Sequence, residues 1–349
     1  MDRINLLRVV AVWLVFALHA SLFNGANFQA GELFKEYWWT FIFKTPAWAG
    51  CWIFFILSGY LNAKTFINKV DSLNNRNIMD YYQTRFTKIL LPTIIFIFIC
   101  ALFVYPLFIL ENWKTLIIKF FSLTYNGNPG VDGIGATWFV FTVMWLYILT
   151  PIFIFFIRKL KNNKSILSFG IIILLLGLIY RLLAFHYSLN WYDMVYTPFF
   201  ANLDLYISGI LVAYIQKNIK FQIKQKYNSF VCLILVGFII LNSYIYSNDL
   251  YMIVYMYIFP SLYILLISLY LFTAVKSKSI TKLGKVINFI SYYSFEFYLF
   301  HSLILSKISP YVTGTTAFLG YVKLLLFTII LTFMCSFGFK KMIINVENK

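Results

Sequence analysis

Residues 8–19, Arg8-Val-Val-Ala-Val-Trp-Leu-Val-Phe-Ala-Leu-His19, form an apolar stretch with a cation at its start and an imidazole at its end. On an α-helix, eleven steps of about 100° complete close to three turns, so Arg8 and His19 share one face. The rise of about 1.5 Å per residue separates them by roughly 16 Å along the axis. Two ionisable groups on one stripe of a membrane helix predict a functional site, because such groups are rare and costly in the bilayer.

The composition of the whole chain indicates a membrane protein. Its 349 residues are 61% hydrophobic and 12% charged, and the mean hydropathy is +0.79. A soluble protein of this length cannot bury so much apolar surface, so the bilayer must be its solvent. The formal charge of +17 does not indicate a nucleic-acid partner, because the basic residues form short clusters between apolar segments. We therefore expect a multi-pass protein of the cell (inner or plasma) membrane that contacts lipids and binds no nucleic acid.

Windows of about 20 apolar residues predict ten transmembrane helices. The predicted fold is an all-α, polytopic membrane helix bundle, and residues 1–349 form a single domain because no connection is long enough for a separate soluble one. The longest outer connection, 111–136, is rich in Gly, Pro and Asn, which predicts turns. The ten predicted spans are 6–24, 44–63, 89–110, 137–157, 165–184, 198–215, 229–246, 251–273, 287–305 and 321–339.

The basic clusters predict the orientation of these spans. Of the 29 Lys and Arg residues, 22 lie before or at the start of the first span, or after the second, fourth, sixth, eighth and tenth. Cytoplasmic connections carry such an excess of Lys and Arg, so both termini are expected in the cytoplasm. A missed or an invented span would destroy the alternation, so its regularity also supports the count of ten.

The small number of histidines and cysteines argues against a metal site. The four cysteines all lie within apolar runs and are expected to be small buried hydrophobic residues without disulfides. The sequence has three histidines, no metal-spaced His or Cys set, and no Gly-rich phosphate loop or other strong soluble-enzyme motif. We therefore expect no metal cofactor.

His19 admits both a catalytic and a structural interpretation. With Arg8 at the cytoplasmic end of the helix, His19 lies toward the outer half of the membrane. Its imidazole can take a proton from a hydroxyl or attack an acyl carbon near neutral pH. It can equally bond to a backbone carbonyl of a neighbouring helix. Arg8 alone is typical of a topology anchor that extends its charge to the membrane surface.

Two further clusters near the cytoplasmic side have alternative interpretations. Ser58 and Gly59 lie inside the second span, where small residues favour close approach of helices. Arg85 and Lys88 lie one helical turn apart at the start of the third span. They can bind lipid headgroups or hold the phosphates of a nucleotide-bearing donor.

Three clusters in the later spans remain open. Trp138 begins the fourth span, where composition favours an aromatic residue at the membrane interface. Tyr298 and His301 share a stripe of the ninth span. Arg181 and Asp204 are charges near or within spans, and they can pair internally.

Together these motifs resemble the integral membrane acyltransferases of family three. The family has an Arg and a His separated by ten residues on its first helix, as Arg8 and His19 are here. Further similar elements occur along the chain in the same order as in the family, and together they cover nearly all of it. They are Arg3-Ile-Asn-Leu-Leu-Arg8, the Gly-x-x-x-Phe-Phe-x-x-Ser-Gly-aromatic segment Gly50–Tyr60, the basic pair Arg85 and Lys88 before Pro92, Trp138–Pro151, and Tyr298-Leu-Phe-His301.

The chain departs from the family pattern at three positions. Asn5 replaces the usual Asp of the opening motif, so an Asp–Arg or Asp–His pair cannot form there. Lys88 replaces the second Arg of the basic pair, and Trp52 replaces an acidic residue that is often present in the second helix. These differences concern the substrate more than the class of reaction.

The resemblance implies transfer of an acyl group, often acetyl, from cytoplasmic acyl-CoA to a hydroxyl of a cell-surface polysaccharide or lipid-linked glycan. On this basis we expect His19 and Arg8 to be catalytic. Three residues are expected to bind the donor and four to bind the acceptor. The donor residues are Arg85, Lys88 and Ser58, and the acceptor residues are Trp138, Tyr298, His301 and Asn5.

A different class of function is an exporter or flippase of a glycan precursor, because internal charges within ten spans also suit substrate translocation. Many transporters contain an internal repeat and a pair of Gly- or Pro-broken spans in matching halves. The sequence shows neither feature. A non-catalytic membrane subunit is a third possibility, but it leaves the shared stripe of Arg8 and His19 unexplained.

Overall fold

A computed structural model describes residues 3–22, 47–69, 75–104, 114, 117, 120–121, 137–160, 162–218, 221–247, 252–273, 282–312 and 317–347. These residues form twelve α-helices joined by short 3₁₀ and π-helical turns. The helices are α1 (Arg3–Leu22), α2 (Ala47–Lys69), α3 (Asn75–Arg85), α4 (Leu91–Ile99), α5 (Thr137–Lys159), α6 (Asn163–His186), α7 (Leu203–Asn218), α8 (Asn228–Ser247), α9 (Met252–Phe272), α10 (Lys282–Tyr292), α11 (Ser294–Ile308) and α12 (Ala317–Glu347).

Each of the ten predicted spans overlaps a helix of the bundle, which confirms the all-α polytopic fold. Seven helical segments in the described residues are long and apolar enough to cross a membrane. The predicted ninth span is not one continuous helix, because a turn at Tyr293 separates α10 from α11. The last helix, α12, extends beyond the predicted end of the tenth span. Most of the predicted outer connection 111–136 lies outside the described residues.

Several helix ends meet on one side of the bundle. The Arg3 guanidinium at the start of α1 donates to the carbonyl of Tyr270 near the end of α9. Lys217, in the last turn of α7, donates to the carbonyl of Ile67 near the end of α2 at 2.8 Å. Cations are favourable at helix C-termini, where carbonyl groups lack helical partners. These are ends that the charge pattern assigns to the cytoplasm.

Glycines let three helices of the core approach to backbone contact. A Cβ on Gly59 of α2 would lie 2.0 Å from the carbonyl oxygen of Tyr206 in α7. A Cβ on Gly209 of α7 would lie 2.0 Å from the carbonyl oxygen of Ile56 in α2, and one on Gly50 would lie 2.5 Å from an oxygen of α1. The close packing predicted from Ser58-Gly59 is therefore present, and it places α1 and α7 on either side of α2.

Replacing Gly59 with alanine is expected to destabilise the bundle by about 1–3 kcal/mol, because the added methyl group meets a backbone oxygen that cannot rotate away. The matched control is Gly237→Ala in α8, where nothing lies within 4 Å of the new Cβ. That control should be neutral or stabilising by up to about 1 kcal/mol. Thermal unfolding of both variants in detergent measures the difference. Equal melting temperatures for Gly59→Ala and wild type would contradict the close contact.

The outer faces of the bundle are strongly apolar. Helix α6 packs on α7 with one side and exposes a nearly continuous set of large aliphatic residues with the other. Cys335, which was predicted to be buried, is also exposed on α12, whereas Cys51 and Cys100 are buried. A surface of this kind is suited to lipid. The exposed aliphatic residues of α6 are Leu167, Ile171, Ile172, Leu175, Leu176, Ile179, Leu182 and Leu183.

A buried ion pair joins α6 to α7. Two guanidinium nitrogens of Arg181 face the two carboxylate oxygens of Asp204 at 2.6 and 3.3 Å. Arg181 also donates to the hydroxyl of Ser261 in α9 at 3.0 Å. Gly177 faces the carboxylate so closely that a Cβ there would lie 2.2 Å from an oxygen. The internal pairing predicted for these two charges is confirmed.

Removing one member of this pair leaves the other charge buried without compensation. We expect Asp204→Asn to lower the free energy of unfolding by about 3–5 kcal/mol. The double variant Arg181→Met/Asp204→Leu should recover most of that loss, since neither charge then remains in the core. Thermal unfolding in detergent or nanodiscs measures both. An Asp204→Asn variant as stable as wild type would show that the pair is not structurally important.

Candidate active site

The two membrane histidines meet inside the bundle. Nδ1 of His19 in α1 lies 2.7 Å from Nε2 of His301 in α11. The two rings are nearly parallel, with an angle of 8° between their planes and 5.0 Å between their centres. His301 is 1% exposed, whereas His19 is only half-buried. Sequence analysis assigned His19 to catalysis and His301 to acceptor binding, and the structure brings the two residues into direct contact.

Aromatic side chains and backbone carbonyl groups surround His301. Its Nδ1 lies 2.6 Å from the carbonyl oxygen of Tyr298, one turn earlier in α11. The ring of Phe297 is parallel to it at 6.4 Å, and the ring of Phe16 is nearly perpendicular at 6.5 Å. This apolar enclosure keeps water from the inner imidazole and strengthens the polar contacts that it makes.

A cavity of about 210 Å³ lies between α1, α2, α5, α10 and α11. Arg8 and Ser58 contribute to its wall, as do Ser294 and Tyr298 of α11. The ring of Tyr298 also lies 5.5 Å from the ring of His301. The cavity therefore extends from the predicted cytoplasmic cation Arg8 to the residue that borders the histidine pair.

Arg85 and Lys88 have different environments. The Arg85 guanidinium lies over the rings of Tyr81 and Tyr147, at 5.3 and 5.4 Å from their centres. Its Nε is buried and has no hydrogen-bond partner among the described residues. Lys88 is exposed and lies in the π-helical turn Phe86–Leu90 that follows Arg85. A π-helical turn changes the angle between successive side chains, and such turns are frequent at functional sites.

The aromatic clamp on Arg85, formed by Tyr81 and Tyr147, adjoins the cavity. Tyr147 lines the cavity and donates to the hydroxyl of Ser58 at 3.4 Å. Tyr81 donates to the Thr150 hydroxyl, which is 2.6 Å from the hydroxyl of Tyr206. A buried hydrogen-bonded network of this kind holds its members in fixed positions. The clamp therefore presents Arg85 from a rigid support.

Asn5 connects α1 to α10. Its Nδ2 donates to the side-chain oxygen of Asn288 at 2.9 Å, and its Oδ1 accepts from the hydroxyl of Ser291 at 3.0 Å. Both ends of the amide are thus engaged within the protein. Binding of the acceptor by Asn5 stays a prediction, and the observed contacts give the residue a packing role.

Trp138 is buried at the start of α5, so it is not part of a lipid-facing aromatic belt. Its ring lies 4.8 Å from that of Tyr196 and 5.9 Å from that of Phe139. Phe139 in turn lies 5.3 Å from the ring of Tyr298. An aromatic chain therefore connects Trp138 to the residue beside the histidine pair.

Sequence reasoning gave no role to Tyr81 or to Ser291 of the cavity wall, and it included Tyr147 only as part of the family-like segment Trp138–Pro151. One local signal pointed to Tyr81, because it precedes Arg85 by four residues and so lies on the same helical face. Tyr147 and Ser291 approach the site from other helices, and no local pattern contains that information.

No group of three or more His, Cys, Asp or Glu side chains in the described part of the chain could hold a metal ion. The polar groups that line the cavity are instead one cation, Arg8, and several hydroxyls, which suit an anionic ligand. Comparison with known proteins then gives the family. The model of a family described as an acyltransferase domain matches residues 1–337.

The chain belongs to acyltransferase family three. No curated protein and no solved structure matches it. Membership makes the protein a membrane acyltransferase, so the family resemblance seen in the sequence is confirmed. Within this acyltransferase, the cavity from Arg8 to Tyr298 and the imidazole pair beside it form the candidate active site.

Proposed function

We propose that the protein is a membrane O-acyltransferase that moves an acetyl group from cytoplasmic acetyl-CoA to a hydroxyl of a cell-surface polysaccharide or lipid-linked glycan. The observation that carries this proposal is the cavity lined by Arg8 and Tyr298, because the ring of Tyr298 lies 5.5 Å from that of His301, the partner of His19. The cell membrane is the proposed location. The donor enters from the side of Arg8, and the acceptor approaches from the opposite side.

The donor site is proposed at the cations of the cytoplasmic side. Arg8 lines the cavity, and the Arg85 guanidinium rests on Tyr147, which also lines it. Guanidinium groups bind phosphates through paired, charge-assisted hydrogen bonds. These two residues would hold the phosphates of CoA, with Lys88 adding an exposed charge. Ser58 would contact the chain that carries the thioester toward His19.

The acceptor site is proposed at the aromatic residues where the cavity approaches the histidine pair. Trp138 and Tyr298, linked through Phe139, provide aromatic surface there. The role of His301 changes from the initial expectation, because its Nδ1 faces a backbone carbonyl and its Nε2 faces His19. We assign it to support of His19 and leave contact with the sugar to the aromatic residues.

In the favoured mechanism, His19 is the general base. Its ring nitrogen takes the proton of the acceptor hydroxyl while the hydroxyl oxygen forms a bond to the acyl carbon. The carbon–sulfur bond then breaks, and the proton passes to the thiolate, which leaves as CoA thiol. In a two-step alternative, the imidazole nitrogen first attacks the acyl carbon and expels the CoA thiolate. The acceptor hydroxyl then displaces the imidazole, and its proton passes to the thiolate. We favour the first mechanism because it requires fewer steps.

Inverted membrane vesicles test the donor and its side. Radiolabelled acetyl-CoA added outside such vesicles should label polysaccharide or lipid-linked sugar. Sealed right-side-out vesicles and inverted vesicles from cells without the protein should give no label. Absence of label in the inverted vesicles would refute acetyl-CoA as donor. The exporter alternative predicts a different result, in which loss of the protein lowers surface glycan but leaves acylation per sugar unchanged.

A further inference from the structure

The contacts of the two histidines determine where their hydrogens lie. Nδ1 of His301 is 2.6 Å from the carbonyl oxygen of Tyr298. A carbonyl oxygen only accepts hydrogen bonds, so this nitrogen carries the hydrogen. In a neutral imidazole the other nitrogen is then an acceptor. Nε2 of His301 therefore presents a lone pair toward His19.

The rings meet edge to edge and not face to face. A nitrogen lies about 1.1 Å from the centre of an imidazole ring, given ring bonds near 1.3–1.4 Å. The nitrogens of His19 and His301 are 2.7 Å apart, so the two ring centres can be at most about 5 Å apart. That maximum is reached only when both ring centres and both nitrogens lie on one straight line. The observed separation of 5.0 Å meets this limit, and the planes differ by 8°. The lone pair of one nitrogen thus points along the N–H of the other.

Since Nε2 of His301 accepts, Nδ1 of His19 must donate. His19 then holds its hydrogen on Nδ1, and its Nε2 is the unprotonated nitrogen. Protonation of His301 at both nitrogens would place a charge in the aromatic enclosure, where only neutral partners contact it among the described residues. The neutral arrangement is therefore the stable one.

We propose that His301, anchored by the Tyr298 carbonyl, is a positioning residue that fixes His19 in the tautomer with Nε2 free to react. The positioning role of His301 depends on the proposed function only because that function assigns the reactive role to His19. A free Nε2 is needed whether it takes the hydroxyl proton or attacks the acyl carbon. Once Nε2 has gained a proton, the Nδ1–H bond to His301 becomes charge-assisted, and so it stabilises the imidazolium without a neighbouring carboxylate.

The small number of histidines makes the tautomer directly measurable. The chain contains three, and the third, His186, is exposed at the end of α6, so it serves as an internal reference. Protein labelled with ¹⁵N-histidine in lipid nanodiscs should show Nδ1 protonated and Nε2 unprotonated in both His19 and His301. The single variants His19→Gln, His186→Gln and His301→Gln assign the signals. A protonated Nε2 on His19 in the wild type would overturn the proposal.

Two variants of His301 separate positioning from simple packing. His301→Leu removes the acceptor and should lower kcat by about 10- to 100-fold with little change in KM for acetyl-CoA. It should also allow His19 to populate the other tautomer. His301→Gln can place an amide oxygen near Nδ1 of His19 and should recover part of the rate. Comparable loss in both variants with unchanged His19 signals would show a packing role only.

The tautomer measurement does not depend on activity, so the two proposals can fail separately. If His19 has the expected tautomer but acetyl transfer survives its replacement, the catalytic role fails and the hydrogen-bond assignment stands. If transfer is lost on replacement but Nδ1 of His19 is the unprotonated nitrogen, the positioning role of His301 fails alone. Melting temperatures of the His301 variants identify any loss that comes from misfolding.

Discussion

Replacing His19 with glutamine is expected to reduce acyl transfer by about 10²- to 10⁴-fold, the usual contribution of a general acid–base group. Glutamine can still donate from its amide to Nε2 of His301, so the contact between α1 and α11 survives. It cannot take the proton of the acceptor hydroxyl. The change therefore removes the chemistry while it retains the packing.

The measurement is mass spectrometry of surface glycan from cells that express wild type or variant at equal membrane levels. His186→Gln is the matched control, because it changes an exposed histidine at the end of α6 whose ring lies 5.1 Å from that of Tyr187. That control should acylate glycan as wild type does. An unchanged level of acylation in the His19→Gln cells would eliminate His19 as the catalytic residue.

Replacing Arg85 with alanine is expected to raise KM for acetyl-CoA by about 10- to 100-fold. A hydrogen bond to a charged group contributes about 1.5–3 kcal/mol, which corresponds to that range of affinity. Lys88→Ala should change KM by no more than about fivefold, because an exposed charge contributes at most about 1 kcal/mol. The two positions thus form a matched pair three residues apart, one at the end of α3 and the other in the π-helical turn that follows.

Initial rates against acetyl-CoA concentration in inverted vesicles measure both KM values. Arg85→Lys should restore only part of the affinity, because an ammonium group lacks the planar pair of donors and stacks less well on Tyr81 and Tyr147. If both residues only bind lipid headgroups, KM will stay at the wild-type value in every variant. Equal increases for Arg85→Ala and Lys88→Ala would contradict the special position of Arg85.

The helices were predictable because apolar length is a local property of the sequence, and their alternating direction stays a prediction from the charge pattern. About 20 apolar residues suffice to cross a bilayer, and the Lys and Arg clusters mark the cytoplasmic connections without knowledge of any contact. The break at Tyr293 was missed, because the apolar run continues across the turn. The close approach at Gly59 was also predictable in kind, since small residues favour it, but its partner in α7 was not.

The candidate site shows the same division between local and distant information. Arg8 and His19 share a stripe by helical periodicity alone, and Tyr298 and His301 lie one turn apart on another helix. The clamp on Arg85 combines a neighbour on its own helix, Tyr81, with Tyr147 from α5. Only the first of these could be inferred from spacing.

By itself the sequence determined that the bilayer is the solvent, that the chain crosses it repeatedly, and that two histidines lie within spans. The tertiary structure alone decided that His19 and His301, 282 positions apart, share a hydrogen bond, and that both ends of the Asn5 amide are occupied. Helical periodicity fixes which residues share a face, but which faces meet depends on packing between helices distant in the chain. In this protein the glycine contacts of α2 and the aromatic enclosure around His301 determine which helix faces meet.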